Sequence, residues 1–170
     1  ILGNVDPVAA LAGKTSSGGR LNVDRALRAC AGSVTPPPSP SGFTPIRVNA
    51  GGPAFTDAAG QTWAADTGYL GGSSYSTSNP IAGTTTPILY QSERWASGAV
   101  HYRFAVANGT YSVRLKFAEI YFTAPARRVF HVVLNGQMVE ANFDVFAAAG
   151  GVNTAVDRTY TLSVTGGEIA

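Results

Sequence analysis

Between residues 100 and 164 the chain returns repeatedly to strict alternation of apolar and polar side chains. Val100, Tyr102, Phe104 and Val106 share one face of the first such stretch. Tyr111, Val113, Leu115 and Phe117 share one face of the second, with Ser112, Arg114 and Lys116 on the other. The run Thr159-Tyr160-Thr161-Leu162-Ser163-Val164 alternates again. A period of two is that of a half-buried strand and is incompatible with an amphipathic helix. Two turn signals punctuate the pattern, Asn108-Gly109 and Asn135-Gly136. Both residues of a tight two-residue hairpin turn need positive φ, which Asn and Gly adopt most readily. The first is expected to close a hairpin between the stretches 100–106 and 111–117. The second is expected to join 129–134 to Met138-Val139. A further strand is expected to begin at residues 46–49, and no segment after Phe43 keeps a helical period. The expected class is all-β, an antiparallel sandwich with one face of each sheet buried.

Ahead of this region lies a sharp boundary, Thr35-Pro36-Pro37-Pro38-Ser39-Pro40-Ser41-Gly42. Consecutive prolines impose extended polyproline geometry and exclude a helix or a central strand. At about 3 Å per residue the run holds two modules roughly 25 Å apart. A docking ligand is the other use of such a run; its place between two dissimilar halves favours the spacer. The chain therefore divides into residues 1–32, a Pro/Ser-rich linker at 33–42, and a module at 43–170. In the first part, residues 22–29 read as a short helix with Asn22 at its N-cap, Asp24 near the positive end and Arg28 in the last turn. Val23, Ala26, Leu27 and Cys30 form its apolar stripe, which a lone short helix cannot stabilise in water without a packing partner. The opening residues lack the basic-then-apolar pattern of a signal peptide and start as a fragment would. The closing Gly166-Gly167-Glu168-Ile169-Ala170 reads as a turn and the first residues of another strand, so the module is expected to be truncated at its C-terminus.

Composition removes several classes of function. The 170 residues carry a formal charge of +2 and only 13% charged residues. Basic residues are scattered, so there is no nucleic-acid footprint. No apolar run reaches the length of a membrane span. The single cysteine, Cys30, forms no intrachain disulfide and is read as an inert thiol. His101 and His131 read as solvated strand residues without zinc-ligand spacing. Asp57, Asp66, Asp144 and Asp157 read as loop carboxylates that lack the dense alternation of a calcium loop. No nucleophile elbow, phosphate loop or spaced carboxylate pair is present. No catalytic residue, metal or cofactor is assigned, and this part of the protein is expected not to be an enzyme.

The aromatic residues are more informative. Tyr69, Tyr75, Tyr90, Trp95, Tyr121 and Phe122 fall at strand ends or in polar loops, away from the alternating faces. A tyrosine ring offers a flat apolar body with a polar tip, suited to the C–H face and hydroxyl edge of a sugar. Gln91, Glu93, Lys116 and Glu119 lie close in sequence and can supply hydrogen bonds. The alternative is that Ile120, Tyr121 and Phe122 simply fill the end of the sandwich core.

Two resemblances bear on these choices. Val48-Asn49-Ala50-Gly51-Gly52, Asp66 with Tyr69, Leu89-Tyr90-Gln91-Ser92-Glu93-Arg94-Trp95, Leu115-Lys116-Phe117-Ala118-Glu119-Ile120-Tyr121-Phe122, Arg128-Val129-Phe130, Val133-Leu134-Asn135-Gly136 and Phe143-Asp144-Val145 occur in the order of the malectin domain. The resemblance spans residues 46–170 and implies a jelly-roll-like β-sandwich that binds glucose-containing oligosaccharides through aromatics on loops at one end. Residue by residue it implies sugar contacts from Tyr90, Tyr121 and Phe122, and from either Tyr69 or Tyr75. Asn49 and Gly51 match the opening motif and shape the backbone beside the site; Glu93 and Glu119 are the polar candidates. The family's late aspartate would lie beyond Ala170. The second resemblance is Asp6-Pro7, Leu11-Ala12-Gly13-Lys14 and Gly18-Gly19-Arg20-Leu21-Asn22-Val23-Asp24-Arg25-Ala26-Leu27, which together are similar to the C-terminal end of a subtilisin-like serine protease domain. Together they imply a secreted protease whose catalytic residues lie upstream, carrying a non-catalytic carbohydrate-binding module. The competing expectation is a protein-interaction or structural sandwich that does not bind sugar.

Overall fold

The structure is a computed structural model that describes residues 5–7, 19–21 and 42–170. The chain forms two compact units, residues 1–38 and 39–170. In the first, β1 (Val5–Pro7) pairs antiparallel with β2 (Gly19–Leu21). The helix expected over 22–29 and the Pro-rich spacer lie outside the described residues, as does Cys30.

The second unit is all-β, as the alternation requires. Its longest ladder pairs β10 (Gly109–Ala118) with β13 (Ala155–Val164), antiparallel and in register from Gly109↔Val164 to Ala118↔Ala155. The hairpin β11 (Val129–Leu134) and β12 (Gln137–Asp144) turns at Asn135-Gly136, with φ of 48° and 80°. The expected use of this turn signal is therefore met. Shorter antiparallel pairs complete the unit: β3 (Phe55–Thr56) with β4 (Thr62–Trp63), β5 (Tyr69–Leu70) with β8 (His101–Tyr102), β6 (Ser73–Ser76) with β7 (Ser92–Trp95), and β9 (Phe104–Ala105) with β14 (Glu168–Ile169).

The core lies between the β10–β13 ladder and the β11–β12 hairpin. Tyr111, Leu162 and Val164 from the ladder pack with Leu134; Val132, Phe143 and Val145 pack with Leu115, Phe117 and Val156. Phe117, Phe130 and Phe143 meet with centroids 5.1 to 5.9 Å apart. A third cluster, Ile81, Leu89, Tyr90 and Ile120, covers the opposite face of the ladder at its Ala118–Ala155 end. That end is thus buried on both sides.

Two expectations about these elements need correction. No strand forms at residues 46–49; Val48 makes only an isolated parallel bridge with Ala64. Asn108-Gly109 turns the chain but closes no hairpin, since β9 pairs with β14 and β10 with β13. The Tyr111 hydroxyl donates to Ala107 O at 2.7 Å, and Asn108 Oδ1 accepts from Gly167 N, so the corner sends the chain into another sheet. Helical structure described after Phe43 consists of a 3₁₀ turn, Pro87–Tyr90, and a five-residue helix α1, Val145–Ala149, in keeping with the absence of a sustained helical period. Neither is long enough to establish a period.

Asp144, expected in a loop, ends β12 and caps α1. Its carboxylate accepts from Ala126 N at 2.6 Å and from Ala147 N at 3.1 Å. These backbone donors hold its pKa below the ordinary 3.8. A carboxylate with a lowered folded-state pKa stabilises the fold above its unfolded value, and that contribution is lost as pH falls through the folded value. Acid unfolding followed by circular dichroism is therefore expected to be steeper below about pH 4 in the wild type than in Asp144→Asn.

Candidate functional site

The site is built on a sharp turn at the end of β10. Alternation carries past Phe117, so Glu119 falls on the buried side, and the structure leaves it only 1% exposed. A buried carboxylate must be fully partnered. Glu119 Oε1 accepts from Tyr121 N and Phe122 N, both at 2.9 Å, and Oε2 pairs with Arg128 Nε at 3.3 Å. Binding two successive backbone donors folds the chain over the carboxylate. Ile120 is turned inward and Tyr121 outward. Tyr121 is 60% exposed while Ile120 is buried in the third core cluster. The two expectations for this run therefore divide between its residues: Ile120 packs the core, and Tyr121 does not.

Tyr121 stands between two other rings. Its centroid is 5.4 Å from that of Tyr75 at 88°, and 5.0 Å from that of Phe122 at 89°. These are edge-to-face contacts, the geometry favoured by ring quadrupoles. The guanidinium groups of Arg127 and Arg128 lie 5.7 Å and 5.3 Å from the Phe122 centroid. Arg128 also pairs with Glu93 Oε2. Burial works against the Arg128 charge, but Glu93 and Glu119 more than offset it and hold its pKa above the ordinary value. Glu93 lies directly across the β6–β7 ladder from Tyr75.

Asn49 and Gly51 sit behind this ladder. Asn49 is buried; its Nδ2 donates to Pro53 O at 2.9 Å, and its Oδ1 accepts from Ser92 Oγ at 3.2 Å. Gly51 has φ of 72°, and a Cβ there would lie 2.1 Å from Glu93 O. Here the absent side chain is what lets the two backbones touch. Both residues support β7 and offer no exposed group of their own.

Tyr69 and Tyr90 lie apart from the three rings. Successive strand residues point to opposite faces, so Arg94, next to Glu93, projects from the other side of β6–β7. Its guanidinium carbon is 3.3 Å from the Tyr69 centroid, and its donors go to Asp66 and to Gly71 O and Gly72 O. Asp66 also accepts from Tyr102 at 2.8 Å. Of the two tyrosines left open by the resemblance, Tyr75 joins Tyr121, while Tyr69 has one ring face on Arg94 and remains 41% exposed away from them. Tyr90 is only 4% exposed, and its ring belongs to the core cluster with Leu89, Ile81 and Ile120. Its hydroxyl donates to Asp157 Oδ1 at 2.6 Å and accepts from Lys116 Nζ at 2.9 Å. Burial and the bond to Asp157 push the hydroxyl above the ordinary tyrosine value, so it stays protonated. Asp157, expected in a loop, lies on β13 directly opposite Lys116.

Sequence reading missed Arg128 and Asp157 as site neighbours, and it gave Glu119 only as a polar candidate for the ligand without reading its burial. The signal for Glu119 was its parity with Phe117; nothing local marked the other two. Both histidines are exposed, and His131 Nδ1 accepts from Asn142 N at 3.1 Å. Among the described residues no group of three His, Cys, Asp or Glu is arranged to hold a metal ion, and no helix is long and apolar enough to cross a membrane.

Comparison with known proteins adds a family. The family model described as the malectin domain matches residues 44–170. Mouse (Mus musculus) malectin is 37% identical over 129 residues, covering 72% of this chain and 44% of malectin, so the chain spans under half of that relative's length. A probable LRR receptor-like serine/threonine-protein kinase of Arabidopsis thaliana is 37% identical over 130 residues, covering 66% of this chain and 13% of the kinase. Among solved structures, the Bacteroides uniformis β-glucuronidase matches with a TM-score of 0.63 and 26% identity, covering 73% of this chain and 15% of the enzyme.

Proposed function

Because the chain belongs to the malectin domain family, we propose that residues 44–170 form a non-catalytic carbohydrate-binding module for a glucose-containing oligosaccharide or a related glycan. The observation that carries this reading is the outward step of Tyr121, set edge-on to Tyr75 and Phe122 above a buried, fully partnered Glu119. Sugar stacks on the exposed rings of Tyr121 and Tyr75, with Phe122 completing the wall. Glu93 offers the nearest polar edge, and Glu119, Asn49 and Gly51 act from below. Tyr90 contributes through its hydroxyl and the Lys116–Asp157 pair rather than through a ring face. Tyr69 is a contact only for a ligand long enough to reach past Arg94.

A glycan array with wild type and Tyr121→Ala tests the proposal. Tyr121 is mostly solvated, so its removal leaves the fold intact. Loss of one stacking ring is expected to weaken binding about tenfold or more, on the scale of ring–base stacking. Equal binding by the two proteins would remove the assigned site.

The burial of Tyr90 favours a second reading, a protein-interaction sandwich that does not bind sugar. Failure of the wild type to bind any glycan, with retained capture of a defined protein partner, would support it. For the whole protein we infer an extracellular, subtilisin-like serine peptidase bearing this module. The motif at residues 18–27 supports that parent, whereas the plant relative is a receptor-like kinase. Peptidase turnover by the full-length protein that is abolished by a serine-directed inhibitor would support the protease parent; absence of turnover would count against it.

A further inference from the structure

The rings of the proposed site come from segments that belong to different ladders. Tyr75 lies on β6, while Tyr121 and Phe122 follow β10. Arg128, just before β11, lies between them. Its guanidinium pairs through Nε with Glu119 Oε2 at 3.3 Å, and its Nη1 pairs with Glu93 Oε2. Glu119 in turn holds the backbone of Tyr121 and Phe122, and Glu93 stands across from Tyr75. One planar cation therefore ties three segments together beneath the rings.

The composition of this tie is informative. Ion groups removed from water are expensive, and an apolar plug would hold the segments at lower cost. What an ion triad adds is direction: a guanidinium presents donors at fixed angles, so two carboxylates that share it are fixed relative to each other. We propose that Arg128 is a positioning residue of the carbohydrate site, setting the spacing between Tyr75 and Tyr121 by bridging Glu93 to Glu119 without touching the sugar. This rests on the carbohydrate reading above.

A lysine carries the same charge but no fork. If Arg128 merely neutralised Glu119, Arg128→Lys would behave as wild type. If it positions the rings, lysine cannot hold both carboxylates in the same geometry. Glu93→Ala cuts the tie from the other side and leaves the Glu119–Arg128 pair in place. Two readouts are taken on wild type, Arg128→Lys and Glu93→Ala: the nuclear Overhauser contact between the Tyr75 and Tyr121 rings, and affinity for the oligosaccharide that binds wild type best. Contacts across the β10–β13 ladder verify folding. Both variants are expected to keep the ladder contacts and lose the inter-ring contact, and Arg128→Lys, which removes no group that touches the sugar, is expected to bind about tenfold more weakly. An unchanged ring contact in both variants, or wild-type affinity in Arg128→Lys, would overturn the proposal. If wild type binds no glycan, the carbohydrate reading fails, and the ring contact alone decides whether Arg128 positions these rings.

Discussion

Gly51→Ala is expected to lower the unfolding free energy by about 3 kcal/mol or more. Two costs combine. A side-chain-bearing residue at φ of 72° occupies the left-handed region, at about 1–2 kcal/mol. The new Cβ would also lie 2.1 Å from Glu93 O and 2.4 Å from Glu93 C, both backbone atoms that cannot rotate away. Strand β7 must shift, an overpacking strain of about 1–3 kcal/mol. Gly60→Ala is the internal control, because Gly60 has φ of 76° and open space where its Cβ would be. It is expected to cost only about 1 kcal/mol, part of it offset by the stiffer unfolded chain. Urea denaturation at unchanged slope measures both. Equal midpoints for the two variants would mean that the contact with Glu93 carries no weight.

Glu119→Ala is expected to cost about 3–5 kcal/mol, the scale of breaking a buried ion pair by removing one partner. It leaves the Tyr121 and Phe122 amides without their acceptor and Arg128 with one carboxylate in place of two. Glu119→Gln separates these effects. The amide oxygen still accepts from both backbone donors, so the turn persists and the loss is smaller. Comparison of the two by denaturant titration gives the share due to the turn. A cost below about 1 kcal/mol for the alanine variant would show that the turn does not depend on the carboxylate.

The long elements were legible because their information is local. Tyr111 to Phe117 states its face by alternation alone, and Asn135-Gly136 states its turn by chemistry. Pairing was not legible, because a strand does not name its partner. Phe104-Ala105 is followed at once by a turn signal, yet its ladder partner is Glu168-Ile169 at the end of the sequence. The short strands and α1 fall below the length at which any period can be counted. At the site, Tyr121 was legible as an exposed ring because it breaks the pattern, whereas the burial of Glu119 went unread although its parity with Phe117 signals it. Tyr90 lies in a 3₁₀ turn whose burial comes from Ile81 and Ile120, residues distant in sequence that no local rule connects to it.

The β10–β13 ladder has a wet end and a dry end. Ser112 and Arg114 face solvent, but Lys116 and Ala118 on the same side are half-covered where Trp63 and Tyr90 close over them. Tyr121 and Phe122 of the proposed site project from the dry end, and Tyr75 meets Tyr121 from β6. A surface that binds strongly hydrated, conformationally mobile molecules loses affinity whenever contact must first freeze its own support. Here the support of Tyr121 is packed from both sides, which lowers the entropy that contact must surrender. The module is, in this sense, an anvil: Tyr121, the most exposed aromatic side chain among the described residues, follows directly on the enclosed pair Glu119 and Ile120.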